Sequence, residues 1–450
     1  MPKSYTTRWE SSVLAGADGV PDALISGTSY VVPGSGRRPV VFLFNGGPGA
    51  SSSPLHMSAF GPQRFETVPA ETGRRRIVVP NPLSIIDVAD LVFVDPVGTG
   101  FSRVLREGGA APYMTVHGDV AAMRHFIRDW LARHDRRDCP VYLVGESYGG
   151  HRLATLCAEV GDIDVAGLVF VSPLLDATAS TPAPGNDLPH VLELPTMAVA
   201  AWAHGRASAG APDAATVFDR AQEFAQSRFL TALHLGSALP QDERAAVAER
   251  VAELIGLPVG QVLAADLRVG SEDFLRTLLA DRDELVGRLD TRVTGPMPPP
   301  PEDDRPLAAD DPAFGIGRSN VILSEELADY LRREAGATDE GAYVSLSLEL
   351  NFAFDWRGEH PKADFYRNPT KHVARLLRER PGVRVLVTGG YFDLATPLAA
   401  STHAIRHAGV PASNVHVLPL VAGHSLGDGE SLETAVSAVR ALLAPQGQAR

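Results

Sequence analysis

"VYLVGESYGGHRLATLCAEV" (141–160) passes from an apolar run, through a Gly-flanked serine, into residues with helical spacing. If the run is a strand and the remainder a helix, Gly145-Glu146-Ser147-Tyr148-Gly149 is the G-x-S-x-G elbow. There, small residues permit a strained turn that lifts the serine hydroxyl clear of a sheet. In a chain with 42 glycines such a pentapeptide arises readily by chance. A tight turn with no chemistry is therefore the competing reading, and the surrounding sequence has to decide.

Working outward, three runs share one format, a strand closed by a Gly-rich or Asp-bearing turn: "RPVVFLFNGGPG" (38–49), "DLVFVDPVGTG" (90–100) and "CPVYLVGESYGG" (139–150). "VAGLVFVSP" (165–173) follows, and the format returns with "GVRVLVTGGYFDLATP" (382–397) and "NVHVLPLVAGHSLG" (414–427), before an amphipathic helix over 429–444. Runs apolar on both faces fit strands of a parallel sheet covered by helices. Between them the chain is Ala-, Glu-, Arg- and Leu-rich with helical spacing, as in "DERAAVAERVAELIG" (242–256) and "EDFLRTLLADRDELVGRL" (272–289). The pattern predicts an α/β core over 1–184 and 346–450, split by a helical cap over 185–345. Within the cap, Trp202, Phe218 and Phe224 are expected in its core, and the Pro- and acid-rich stretch 295–315 is expected to be an extended surface loop.

A serine hydroxyl is a poor nucleophile at neutral pH and needs a base with a group to orient it, in the chain order Ser, Asp or Glu, His. Asp393 follows the run "VRVLVTGG", and His424 follows "NVHVLPL". Both are strand ends, where such sheets place active residues. Order and placement together favour a nucleophilic Ser147 with His424 as base and Asp393 as orienting acid. Developing oxyanion charge needs N–H donors: the residue after the nucleophile, Tyr148, supplies one, and Gly47 in "NGGPGASSS" (45–53) is the second.

Composition narrows the partners. With 450 residues, 44% hydrophobic, the chain can bury a large core, and its net charge of −13 disfavours nucleic acid or an anionic membrane surface as a partner. No stretch approaches the ~20 apolar residues of a membrane helix. The first residues lack a basic start followed by an apolar run, and the two cysteines, Cys139 and Cys157, form no spaced framework. A cytoplasmic location is the expectation. Phosphate-loop and dinucleotide motifs are absent from the sequence, and neither a metal nor a cofactor is expected.

"NGGPGASSS", "NPLSIIDVADLVFVDPVGTGFSR", "GESYGGHRLA", "GYFDLATP" and "AGHSLG", in this order, resemble the successive signature blocks of the serine carboxypeptidases, the peptidase S10 family of the α/β-hydrolase fold. The wording is most similar to that of bacterial members. The resemblance implies the same three residues and oxyanion donors, and it adds a trap for a substrate's terminal carboxylate at Asn45, Gly46 and Glu146. It implies removal of a C-terminal residue from a peptide or peptide-like small molecule; a serine carboxypeptidase-like acyltransferase or esterase is the alternative. The chain departs from the family at Ala59, where a second acid would pair with Glu146, at Ala50 in place of a disulfide-forming Cys, and at Leu43 and Ser425. His56 and His151 are the nearby side chains that could replace the missing acid.

Overall fold

Residues 40–44, "VVFLF", are buried on every side, the signature of a strand at the centre of a sheet with both faces covered. In the computed structural model, which describes residues 4–34, 36–69, 74–299, 310–314, 319–356 and 368–444, this strand sits in a nine-stranded sheet. Its long strands are β1 (Thr6–Ala15), β2 (Pro21–Val31), β3 (Val40–Phe44), β4 (Asp90–Asp95), β5 (Val141–Glu146), β6 (Val165–Val171), β7 (Arg384–Gly390) and β8 (Val415–Leu420). They lie in the order β1-β2-β4-β3-β5-β6-β7-β8, with the short strand Arg103–Val104 paired to β2. β2 runs antiparallel to β1 and β4. All pairings from β4 through β8 are parallel.

Alternation along each strand divides the core into two layers. Val40, Phe42 and Phe44 face α1 (Val116–Arg133) and α2 (Tyr148–Leu156), while Val41 and Leu43 face the opposite layer with Leu55 and Phe60. Phe42 meets Trp130 edge-on at 5.5 Å. Burying a side chain of this size contributes about 1.5–3 kcal/mol. α1 begins where the Thr115 hydroxyl accepts the Gly118 N–H at 3.0 Å, satisfying one of the free donors of its first turn.

Between β6 and β7 come α3 (Leu188–Ala203), α4 (Ala214–Phe224) and α5 (Gln241–Ile255), with shorter helices, packed on an apolar cluster of their own that also takes in Phe392, Leu394 and Leu398. Phe218 is buried in that cluster, and Trp202 and Phe224 lean against it. α6 (Thr370–Glu379), α7 (Leu398–His407) and α8 (Gly429–Leu443) complete the two layers over the sheet.

The structure departs from the sequence expectation over 272–289. The helix covers only Ser271–Thr277. Asp283 turns left-handed at φ 56°, and Glu284–Val286 becomes a strand paired with Thr294–Pro296. The expected surface loop lies largely, over 300–309, outside the described residues. Two N-terminal strands, β1 and β2, escape the apolar-run reading because β2 buries Ser26, Thr28 and Ser29 alongside Ala23, Ile25 and Tyr30, which breaks up any apolar run. Gly27 brings the β2 backbone so close to Phe93 that a Cβ would lie 2.5 Å from its carbonyl oxygen.

Candidate active site

β5 ends at Glu146 and α2 starts at Tyr148, leaving Ser147 alone in the turn at φ 61°, ψ −128°. The glycines around it are required by contact: a Cβ on Gly145 would stand 2.3 Å from the Gly149 carbonyl oxygen, and one on Gly149 2.7 Å from that of Phe44. The turn is fastened by Ser147 N–H donating to Val171 at 3.0 Å and by the Ser147 carbonyl accepting from Gly150 and Leu174. A non-glycine residue held in this region costs of order 1–3 kcal/mol. Replacing Ser147 by Gly is therefore expected to stabilise the fold by about 1 kcal/mol after the larger unfolded-state entropy of glycine is subtracted, measurable by urea denaturation.

Asp393 and His424 stand beyond the carboxyl ends of β7 and β8. His424 Nδ1–H donates to Asp393 Oδ2 at 2.9 Å, with the Thr396 hydroxyl 3.1 Å from the same nitrogen. Asp393 is wholly buried, and its remaining lone pairs are taken by Ala395 N–H (2.9 Å), Thr396 N–H (3.0 Å) and the Thr396 hydroxyl (2.7 Å). This fixes the Nδ1–H tautomer and leaves Nε2 as the basic nitrogen. Burial disfavours charging the imidazole, but the Asp393 and Glu146 carboxyls outweigh it and hold the His424 pKa above its ordinary value. Among the described residues, no hydrogen bond joins Ser147 Oγ to His424. Such catalytic contacts commonly tighten only on substrate binding.

Tyr148 is the first residue of α2, so its N–H has no acceptor within the helix. A Cβ on Gly46 would lie 2.4 Å from that nitrogen, so only glycine lets the 45–49 loop come this close, and Gly47 follows at φ 97°. The loop is held from several sides. The buried Arg152 guanidinium donates to the Asn45 carbonyl and, at 2.7 Å, to Asp119, which also accepts from the Tyr148 hydroxyl at 3.1 Å. Asp95 accepts from Ser52 N–H and hydroxyl and from the Tyr343 hydroxyl; burial pushes its pKa up to about 6 against those donors. Asp119, Arg152 and Thr396 carry no signal in the sequence, since what they do depends on contacts with other segments.

Glu146 is 5% exposed. Burial, aided by the Asp393 charge, pushes its carboxyl up to about 7 against the opposing effects of His424 and a hydrogen bond from the Asn45 side chain. The Asn45 amide oxygen accepts from Leu55 N–H at 3.3 Å, which directs its NH2 toward Glu146. Ala59 is buried in the 55–60 turn and brings no second acid. His56 does not replace it: the ring is buried, stacks on Phe93 at 4.2 Å, and bonds the Tyr30 hydroxyl at 2.7 Å. His151 is packed between Tyr148 and Trp356. Both cysteines are free and buried, and burial pushes the Cys157 thiol up to about 12. Among the described residues, no helix is long and apolar enough to cross a membrane.

Residues 33–166 match the family model of the serine carboxypeptidases, Peptidase_S10. Serine carboxypeptidase-like 15 of Arabidopsis thaliana is 32% identical over 147 residues, covering 30% of this chain and 33% of the relative. Serine carboxypeptidase 1 of Hordeum vulgare is 31% identical over 128 residues, 28% of this chain and 25% of the relative. The matches thus span about a third or less of the length of these relatives. In three dimensions the likeness runs further: the prohormone-processing carboxypeptidase Kex1(Δ)p of Saccharomyces cerevisiae superposes with a TM-score of 0.56 at 15% identity, covering 97% of this chain and 91% of that one. Residues 33–166 are therefore similar to the serine carboxypeptidases of the peptidase S10 family, and the fold that carries them is the α/β-hydrolase fold.

Proposed function

We propose that this protein is a serine-type carboxypeptidase that removes a C-terminal residue from a peptide or peptide-like small molecule through an acyl-enzyme. The observation that carries the reading is the strained Ser147 elbow at the end of β5, with the His424–Asp393 pair, 2.9 Å apart, on the loops after two parallel strands of the same sheet. Ser147 Oγ attacks the acyl carbon while His424 Nε2 takes its proton. The oxyanion is held by the N–H groups of Gly47 and Tyr148, and His424 returns the proton to the leaving amine. Water then repeats the sequence in reverse roles. Asn45, Gly46 and Glu146 form the carboxylate trap, and the helices over 185–345 serve as its cap. The free thiols support a reducing, cytoplasmic setting.

The test is release of free amino acid from a panel of blocked dipeptides, with fluorophosphonate labelling at Ser147 abolishing it. No labelling-sensitive release from any member would overturn the reading. Adding competing amines or alcohols separates hydrolysis from acyl transfer by the products formed.

The trap and the base impose opposite pH demands. Glu146 can donate to a substrate carboxylate only while protonated, below about pH 7. His424 can accept a proton only above its own raised pKa. We expect a narrow bell in kcat/KM for free-acid substrates, whose limbs belong to the coupled pair rather than to either residue. Glu146→Gln keeps a donor at every pH and removes the charge that raises His424. The alkaline fall should vanish and the acid limb should move to lower pH. A wild-type profile flat across about pH 6–9 would count against this role.

A further inference from the structure

The strap 284–297 departs from helix at the place where it crosses the active site. Leu394 N–H donates to the Arg288 carbonyl at 3.0 Å, and His424 N–H donates to the Leu289 carbonyl at 2.6 Å, so the strap is sewn to both the acid and the base loops. Asp311 fixes its register by accepting Arg288 N–H, Leu289 N–H and Ala313 N–H at 2.8–3.0 Å. Gly423 makes the approach possible, since a Cβ there would lie 2.6 Å from the Leu289 carbonyl oxygen.

This places the half-buried Arg288 side chain against the Asp393 loop, where one N–H of its guanidinium reaches the Ala395 carbonyl at 3.4 Å. Among the described residues it makes no other side-chain hydrogen bond and no ion pair. Three titratable groups surround it at longer range: Asp311, His424 and Glu193 of α3. Asp311 is occupied by backbone donors. Glu193 is 6% exposed, one of its oxygens has no partner, and burial pushes its carboxyl up to about 7 despite the Arg288 charge. A guanidinium with one protein hydrogen bond, standing beside the acid and base loops, keeps donors free for a planar anion, which it can bind through two parallel hydrogen bonds.

We infer that Arg288, brought in by the 284–297 strap, is the receptor for the substrate's free carboxylate, taking the part that the acid missing at Ala59 would otherwise play. The inference deepens the carboxypeptidase reading and rests on it. Glu146 and Asn45 then contact the carboxylate from the β3–β5 side, and Arg288 from the acid–base side.

The experiment is titration calorimetry of the protein with N-benzoyl-phenylalanine and with its amide, compared between wild type at position 288, Arg288→Gln and Arg288→Lys, all carrying Ser147→Ala so that neither ligand is turned over. Wild type should prefer the acid; Arg288→Gln should lose that preference by roughly 30-fold, and Arg288→Lys should restore much of it, because charge is kept while the bidentate geometry is not. Affinities for acid and amide that fall together, or an acid preference that survives Arg288→Gln, would overturn the inference. Because binding is read without turnover, its failure is distinct from failure of the blocked-dipeptide assay, which tests the activity itself.

Discussion

A Ser147→Ala variant is expected to hydrolyse blocked dipeptides about 10⁶-fold more slowly than wild type, with its fold unchanged. The methyl group occupies the same turn at φ 61° and loses no hydrogen bond that holds the elbow, since those run through the Ser147 backbone. What disappears is the acyl-enzyme route. The N–H groups of Tyr148 and Gly47 remain, so a residual rate above that in water should persist. Single-turnover assays with mass detection of the acyl-enzyme, together with circular dichroism of the variant, check both halves. A Ser147→Ala/Asp393→Asn double variant should be no slower than Ser147→Ala alone, because the two side chains act as one unit.

Asp393→Asn is expected to lower kcat by about 10⁴. The direction follows from the hydrogen bonds at the carboxylate. Oδ1 accepts two backbone N–H groups, from Ala395 and Thr396, so an asparagine must place its carbonyl oxygen there. Its NH2 is then driven into the Oδ2 position, facing His424 Nδ1 and the Thr396 hydroxyl. The imidazole can accept that donor only by giving up the Nδ1 proton, which moves to Nε2. The nitrogen that should receive the serine proton is then already protonated. Fluorophosphonate labelling of Ser147 should slow in step with kcat, while thermal stability changes far less; equal labelling rates in variant and wild type would refute the assigned role.

Much of the scaffold could be read from the chain because its central strands are buried on both faces. The runs at 38–49, 139–150 and 382–397 end at β3, β5 and β7, and the chemistry-bearing loops follow immediately. Ser147, Asp393 and His424 stand out in the sequence as candidates because each sits just past such a run. The N-terminal hairpin does not, since buried Ser26, Thr28 and Ser29 carry no apolar signature. Residues that work by long-range contact were equally silent. Arg152 reaches Asn45 and Asp119 from a helix whose spacing looks ordinary, and Arg288 lies in a segment whose helical composition concealed a strand. Hydrophobic period reports which face is buried; it does not report which polar group a buried arginine will meet.

β6 and β7 are hydrogen-bonded neighbours, with Arg384 opposite Gly167, although the entire helical layer intervenes between them in the chain. Closing so long an excursion costs little more free energy than closing a moderately long one, because loop entropy grows only logarithmically. Its effect falls on kinetics instead. Pairings of such sequence separation form slowly, so the half-sheet bearing Ser147 can assemble before the half bearing Asp393 and His424. Regain of the proposed activity on refolding would then report the joining of two halves, not the acquisition of secondary structure.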